Sequence, residues 1–204
     1  MKTSLYFQPG DLLFFAGRGW ESRFIAGVTC SLWQMLRGQF ISHVGICATY
    51  DRKVLLFEST TLTDLPCAIQ QKAVSGSQAH EPNHRIDKYD GKVWRLRLNE
   101  RDKLKERDSH RLSTYLSSTI GRPYDYAGAP LSGTKIIRLV RGLYQDTDIL
   151  FCSEWCTAAL KDVGKMNHDV NASTYSPARL ARDLQYWGTY QPLGKKNSES
   201  VRVK

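Results

Sequence analysis

Hydrophobic and polar positions change their rhythm partway along this chain. The run Asp11-Leu12-Leu13-Phe14-Phe15 follows a Pro9-Gly10 turn and predicts a buried strand, closed by Gly17-Arg18-Gly19. From Trp20 to Leu36 the apolar residues Phe24, Ile25, Val28, Leu32 and Met35 fall at helical spacing. Two further runs, Ser42 to Tyr50 and Lys53 to Ser59, flank Asp51-Arg52 and predict a hairpin. Cys67 to Val74 suits a short strand, the polar stretch from Ala79 to Lys88 a surface loop, and Lys92 to Leu98 a strictly alternating, half-buried strand.

After Asn99 the pattern turns helical. Leu104, Leu112, Leu116 and Ile120 share one face of a helix expected over 99–120, with Asn99 as its cap. A loop at Gly121-Arg122-Pro123-Tyr124-Asp125-Tyr126 precedes an amphipathic helix over Lys135 to Leu143. A further helix starts at or near Cys152 and ends near Gly164, and another opens at Ser176-Pro177, a cap residue followed by proline. Strands first and helices afterwards indicate an α+β fold, an antiparallel sheet packed on helices. Residues 1–193 form the expected domain, and 194–204 a basic, disordered tail.

Composition narrows the function. The 204 residues fit one domain, and 41% apolar with 11% aromatic content supplies a core. No segment approaches the roughly 20 apolar residues of a membrane-spanning helix. The first residues lack a secretory h-region, so a cytoplasmic location is expected, with non-classical export still open. Five cysteines without regular spacing suit reduced thiols. The formal charge of +9 favours anionic surfaces such as cell-wall polymers or lipid headgroups, though it is scattered and serves solubility equally well. No nucleic-acid-binding signature and no phosphate-binding glycine motif is present. Cys152 and Cys156 lack a histidine at ligand spacing, and His80 and His84 lack other ligands, so no metal or cofactor is expected.

Candidate chemistry centres on Cys152. At a helix N-terminus the unpaired N–H groups and the dipole favour a thiolate and would stabilise an oxyanion. Its rival role is that of a small buried hydrophobe, which suits Cys30, Cys47, Cys67 and Cys156. His43 begins an apolar strand. If Asp51-Arg52 closes a two-residue hairpin, Tyr50 faces Lys53, Gly45 faces Glu58, and His43 and Glu58 become diagonal neighbours on one face. Glu58 would then orient the imidazole, with room left by Gly45; a one-residue slip in register would turn it away. Glu154 suits an acid complementing the helix dipole.

The ordered segments Gly10-Asp11-Leu12-Leu13-Phe14-Phe15, Ser42-His43-Val44-Gly45-Ile46, Phe57-Glu58, Gly121-Arg122-Pro123-Tyr124-Asp125 and Phe151-Cys152-Ser153-Glu154 resemble the motifs of the permuted NlpC-type family, in its YiiX- and YebB-like branch. That branch, which is also similar to lecithin:retinol acyltransferase, places histidine before cysteine, as here. The resemblance implies a circularly permuted papain-like fold with Cys152 as nucleophile, His43 as base and Glu58 as orienting acid. It implies hydrolysis of cell-wall peptides or aminoacyl amides, with lipid acyl groups as the enzymatic alternative and a non-catalytic binding protein as the rival. Val74-Ser75-Gly76-Ser77-Gln78 resembles a Gly-Val-Gln stretch of the family but carries Ser77 where an apolar residue is expected. Tyr124 and Asp125 fit either a cleft wall or an ordinary turn.

Overall fold

The computed structural model describes residues 5–17, 40–61, 64–123, 152–193 and 199–204. The helices expected over 20–36 and 135–143, and the pair Tyr124 and Asp125, lie outside the described residues.

Six antiparallel strands form one sheet: β1 (Leu12–Gly17), β2 (His43–Tyr50), β3 (Lys53–Thr60), β4 (Gly76–His80), β5 (Gly91–Leu96) and β6 (Val201–Arg202), in the order β4-β3-β2-β1-β5-β6. Four α-helices accompany it among the described residues: α1 (Pro82–Lys88), α2 (Glu106–Ser118), α3 (Cys152–Asp162) and α4 (Pro177–Tyr186). Alternation along each strand sends side chains to both faces, and both faces are covered. Leu12, Phe14, Val44, Ile46, Phe57 and Leu96 meet Leu112 and Leu116 of α2, Trp155 and Ala159 of α3, and Leu180 and Leu184 of α4. Leu13, Phe15, Cys47, Leu56 and Val93 form a smaller core with Phe7 and with Ile86 of α1.

Asp51 and Arg52 close β2 and β3 with φ of 46° and 61°, the left-handed pair of a tight hairpin turn whose twist matches that of the strands. Tyr50 faces Lys53 and Ile46 faces Phe57, the expected register. Gly164, at φ 67°, ends α3: the Lys165 N–H donates to the Leu160 carbonyl at 2.8 Å and the Gly164 N–H to the Lys161 carbonyl at 3.0 Å. The Ser176 hydroxyl caps α4 by accepting from the Arg179 N–H at 3.2 Å.

Four expectations differ from the structure. Residues 67–74 form turns, and the strand begins only at Gly76. The stretch 79–88 is no surface loop. It holds the end of β4 and the helix α1, started by Pro82 and by the Glu81 carboxylate, which accepts from the Asn83 and His84 N–H groups. The helix expected over 99–120 is a single 3-10 turn, Glu100–Asp102, followed by α2 from Glu106. The Asn99 amide donates to the Gly188 carbonyl instead of capping the turn.

The tail expected to be disordered ends as β6, paired with β5 through Trp94–Arg202 and Arg95–Val201. This pairs the outer edge of β5, and Arg95 and Arg97 are buried where an exposed polar face was expected, with Arg95 donating to the carbonyls of Tyr6 and Glu199. Arg97 is neutralised there by Asp11, at 2.8 Å, and by Glu199.

Candidate functional site

Glu58 organises the site. Its side chain has no exposed surface, and burying a carboxylate is costly unless it is paired and hydrogen-bonded. Four donors surround it. His43 Nε2 lies 2.7 Å from Oε2 and His80 Nδ1 lies 2.9 Å from Oε1. Arg85 donates from Nε to Oε1 at 2.6 Å and from Nη2 to Oε2 at 3.2 Å. A carboxylate offers about four lone-pair directions, so its accepting capacity is filled.

This arrangement decides the tautomers. An ionised Glu58 only accepts, so His43 carries its proton on Nε2 and His80 on Nδ1. His43 Nδ1 is therefore the nitrogen left free of Glu58, and Cys152 acts on the same ring through its charge and hydrogen bonding. The His43 side chain is 15% exposed, whereas Cys152 has no exposed surface. Burial by itself would lower the His43 pKa. The charge and hydrogen bond of Cys152, followed by those of Glu58, override it and push the pKa up from 6.5 to about 9. For Glu58, burial pushes upward, but the Arg85 charge and the bonds from His43 and His80 hold it well below the usual carboxylate range.

The three side chains singled out from the sequence thus stand together: Glu58 on β3, His43 at the first position of β2, and Cys152 as the first residue of α3. The remaining described cysteines, Cys47, Cys67 and Cys156, are buried and free. Burial raises the Cys47 and Cys156 thiols well above their ordinary value. Glu154 lies in the first turn of α3. Gln78, in the stretch that resembles the family's Gly-Val-Gln segment, faces Glu58 across β3 and β4, and its amide donates to the carbonyls of Thr60 and Val74.

Sequence reasoning missed His80 and Arg85, both having been placed in a polar loop. A signal was present: Glu81-Pro82 is a helix start, and Pro82, Arg85 and Ile86 then share one buried face. Arg85 is held between aromatic rings, its guanidinium 4.9 Å from the centre of Phe15 and 5.1 Å from that of Tyr89. Phe15 in turn stands 5.4 Å from the His43 ring.

No protein-family model matches the chain, and no curated protein matches it. Among solved structures it is similar to YiiX from Escherichia coli O157:H7, described as a metalloprotein. The identity is 19%, the match covers 95% of this chain and 87% of that one, and the TM-score is 0.51. The likeness establishes a YiiX-like fold. No helix among the described residues is long and apolar enough to cross a membrane.

Proposed function

We propose that this protein is a cysteine hydrolase acting on amide bonds, with Cys152 as nucleophile, His43 as base and Glu58 as orienting acid, on a circularly permuted papain-like scaffold of NlpC type. The observation that carries the reading is the double engagement of His43, which meets Glu58 through Nε2 and is acted on by Cys152 as well. Cys152 gives its proton to His43 Nδ1, and the resulting thiolate attacks the substrate carbonyl. Backbone N–H groups of the first turn of α3 stabilise the oxyanion. His43 then protonates the leaving amine, and water, deprotonated by His43, releases the acyl group as a carboxylate. Cell-wall peptides and small aminoacyl amides are the substrates we favour. The excess of basic residues suits an anionic polymer surface, and a cytoplasmic site of action is part of the same reading.

YiiX is described as a metalloprotein. The donor set here does not fit a metal ion. Both Glu58 oxygens are engaged by Arg85 and the two histidines, and among the described residues no group of three or more His, Cys, Asp or Glu side chains is placed to hold one. The steps above use none.

The test is incubation of wild type and Cys152→Ala with peptidoglycan fragments and, separately, with lipid extracts, followed by mass spectrometry. New amines and carboxylates from the peptide pool, absent with Cys152→Ala, are expected. Thiol-dependent change confined to the lipids would replace the amidase by a lipid acyl hydrolase or transferase. No thiol-dependent change in either pool would leave a binding protein on this fold.

A further inference from the structure

Among the described residues three side chains donate to Glu58, and all but one are histidines, whose charge depends on pH. Arg85 is the exception, because a guanidinium stays protonated throughout the pH range of proteins. Its two bonds run edge-on to the carboxylate, Nε to Oε1 and Nη2 to Oε2. That fork fixes the carboxylate plane as well as its charge. With Oε1 shared by Arg85 and His80, Oε2 is aimed at His43 Nε2. Arg85 cannot swing away, since Phe15 and Tyr89 flank it and its side chain is 2% exposed.

We propose that Arg85 is a positioning residue for the Cys152–His43 pair: it keeps Glu58 ionised and oriented, and so keeps His43 Nε2 protonated and Nδ1 turned to the sulfur. The inference rests on the site reading given above and adds to it the group on which the acid depends. The titratable groups around Glu58 are His43 on β2, His80 on β4, Arg85 on α1, Tyr89 just beyond α1 and Cys156 on α3, while Cys152 on α3 acts on His43. Of these, Arg85 alone supplies a permanent positive charge. Without it, the buried carboxyl would take up a proton and become a donor, and His43 would lose the partner that stabilises its imidazolium.

The experiment follows the His43 ring by NMR through a pH titration of the full chain, with imidazole labelling, in wild type, Arg85→Met, Arg85→Lys, Glu58→Gln and the double variant Glu58→Gln/Arg85→Met. The expected result is a His43 midpoint lowered by about one pH unit or more in Arg85→Met. Arg85→Lys, which restores the charge without the fork, should recover most of that loss. Glu58→Gln should lower the midpoint by itself, and adding Arg85→Met to it should produce no further shift. An unchanged or raised midpoint in Arg85→Met would overturn the proposal, as would a further drop in the double variant.

If Arg85→Met fails to fold, the double variant should fold, because it leaves no unpaired buried charge. Failure of both would show Arg85 to be scaffolding for α1, against the proposal. The titration needs no substrate. A peptide pool untouched by the enzyme would therefore remove the amidase reading while leaving the Arg85 result to be decided by itself.

Discussion

Gly45 stands opposite Glu58 on the neighbouring strand, and a Cβ built at Gly45 would lie 3.2 Å from the Glu58 Cβ and 2.9 Å from the Phe57 carbonyl oxygen. The absent side chain leaves the room that the Glu58 side chain occupies beside β2. Gly45→Ala must push back the backbone of β3, because the carbonyl cannot rotate out of the ladder. The expected cost is roughly 1–3 kcal/mol in urea unfolding, together with a changed His43 titration. Wild-type stability with an unmoved titration would show that the space is not needed.

The charge state of His43 makes stability depend on pH. Its pKa in the fold is about 9, against an ordinary 6.5. A group raised on folding contributes fully below the unfolded value and loses that contribution as pH rises through the folded one. Glu58 behaves oppositely, contributing above pH 4.5 and losing its contribution as pH falls toward its depressed folded value. Wild type should therefore lose stability through His43 as pH rises from 6.5 toward about 9. Unfolding midpoints of wild type and His43→Phe across that range give the comparison. Parallel slopes would mean that His43 is not held as imidazolium.

His80 and Arg85 both donate to Glu58 Oε1, but only Arg85 brings a permanent charge. His80→Phe removes one donor and should destabilise the protein by about 1–3 kcal/mol. The His43 midpoint should stay near that of wild type, because the carboxylate keeps its counter-ion. A large fall on replacing His80 would give that histidine the part assigned here to Arg85.

The hairpin turn carries a removable strain. Asp51 and Arg52 adopt left-handed backbone conformations without being glycine. Arg52→Gly relieves the Cβ penalty at the second position, part of which returns as chain entropy. A net gain of about 1 kcal/mol, seen as a Tm increase of about 2–4 °C, is expected. Because the turn lies at the far end of the strands from His43, its titration should not respond. A fall in Tm would show that the arginine side chain stabilises the turn by more than its backbone strains it.

Alternation made the hairpin of β2 and β3 readable. Once Asp51-Arg52 was taken as a two-residue turn, the register placed His43 and Glu58 on one face, as the structure shows. The Ser176-Pro177 start of α4 and the Gly164 end of α3 were equally local signals. The stretch 79–88 was misjudged because His80, His84, Arg85 and Lys88 look solvent-seeking. A buried arginine is stable only against a carboxylate already in place, and Glu58 reaches it from β3, across 27 positions.

What the sequence determined is therefore a set of local features: the strands β1, β2, β3 and β5, the β2–β3 hairpin register, the Ser176 cap, and the helix that opens at Cys152. The tertiary structure decided the rest. Packing of α3 against β2 and β3 brings the Cys152 side chain to His43, docking of α1 brings Arg85 to Glu58, and the segment ahead of β6 brings Glu199 to the buried Arg97. The physical reason is range. Backbone geometry links residues a few positions apart, whereas a buried charge can be placed only when its counter-charge arrives from elsewhere in the chain.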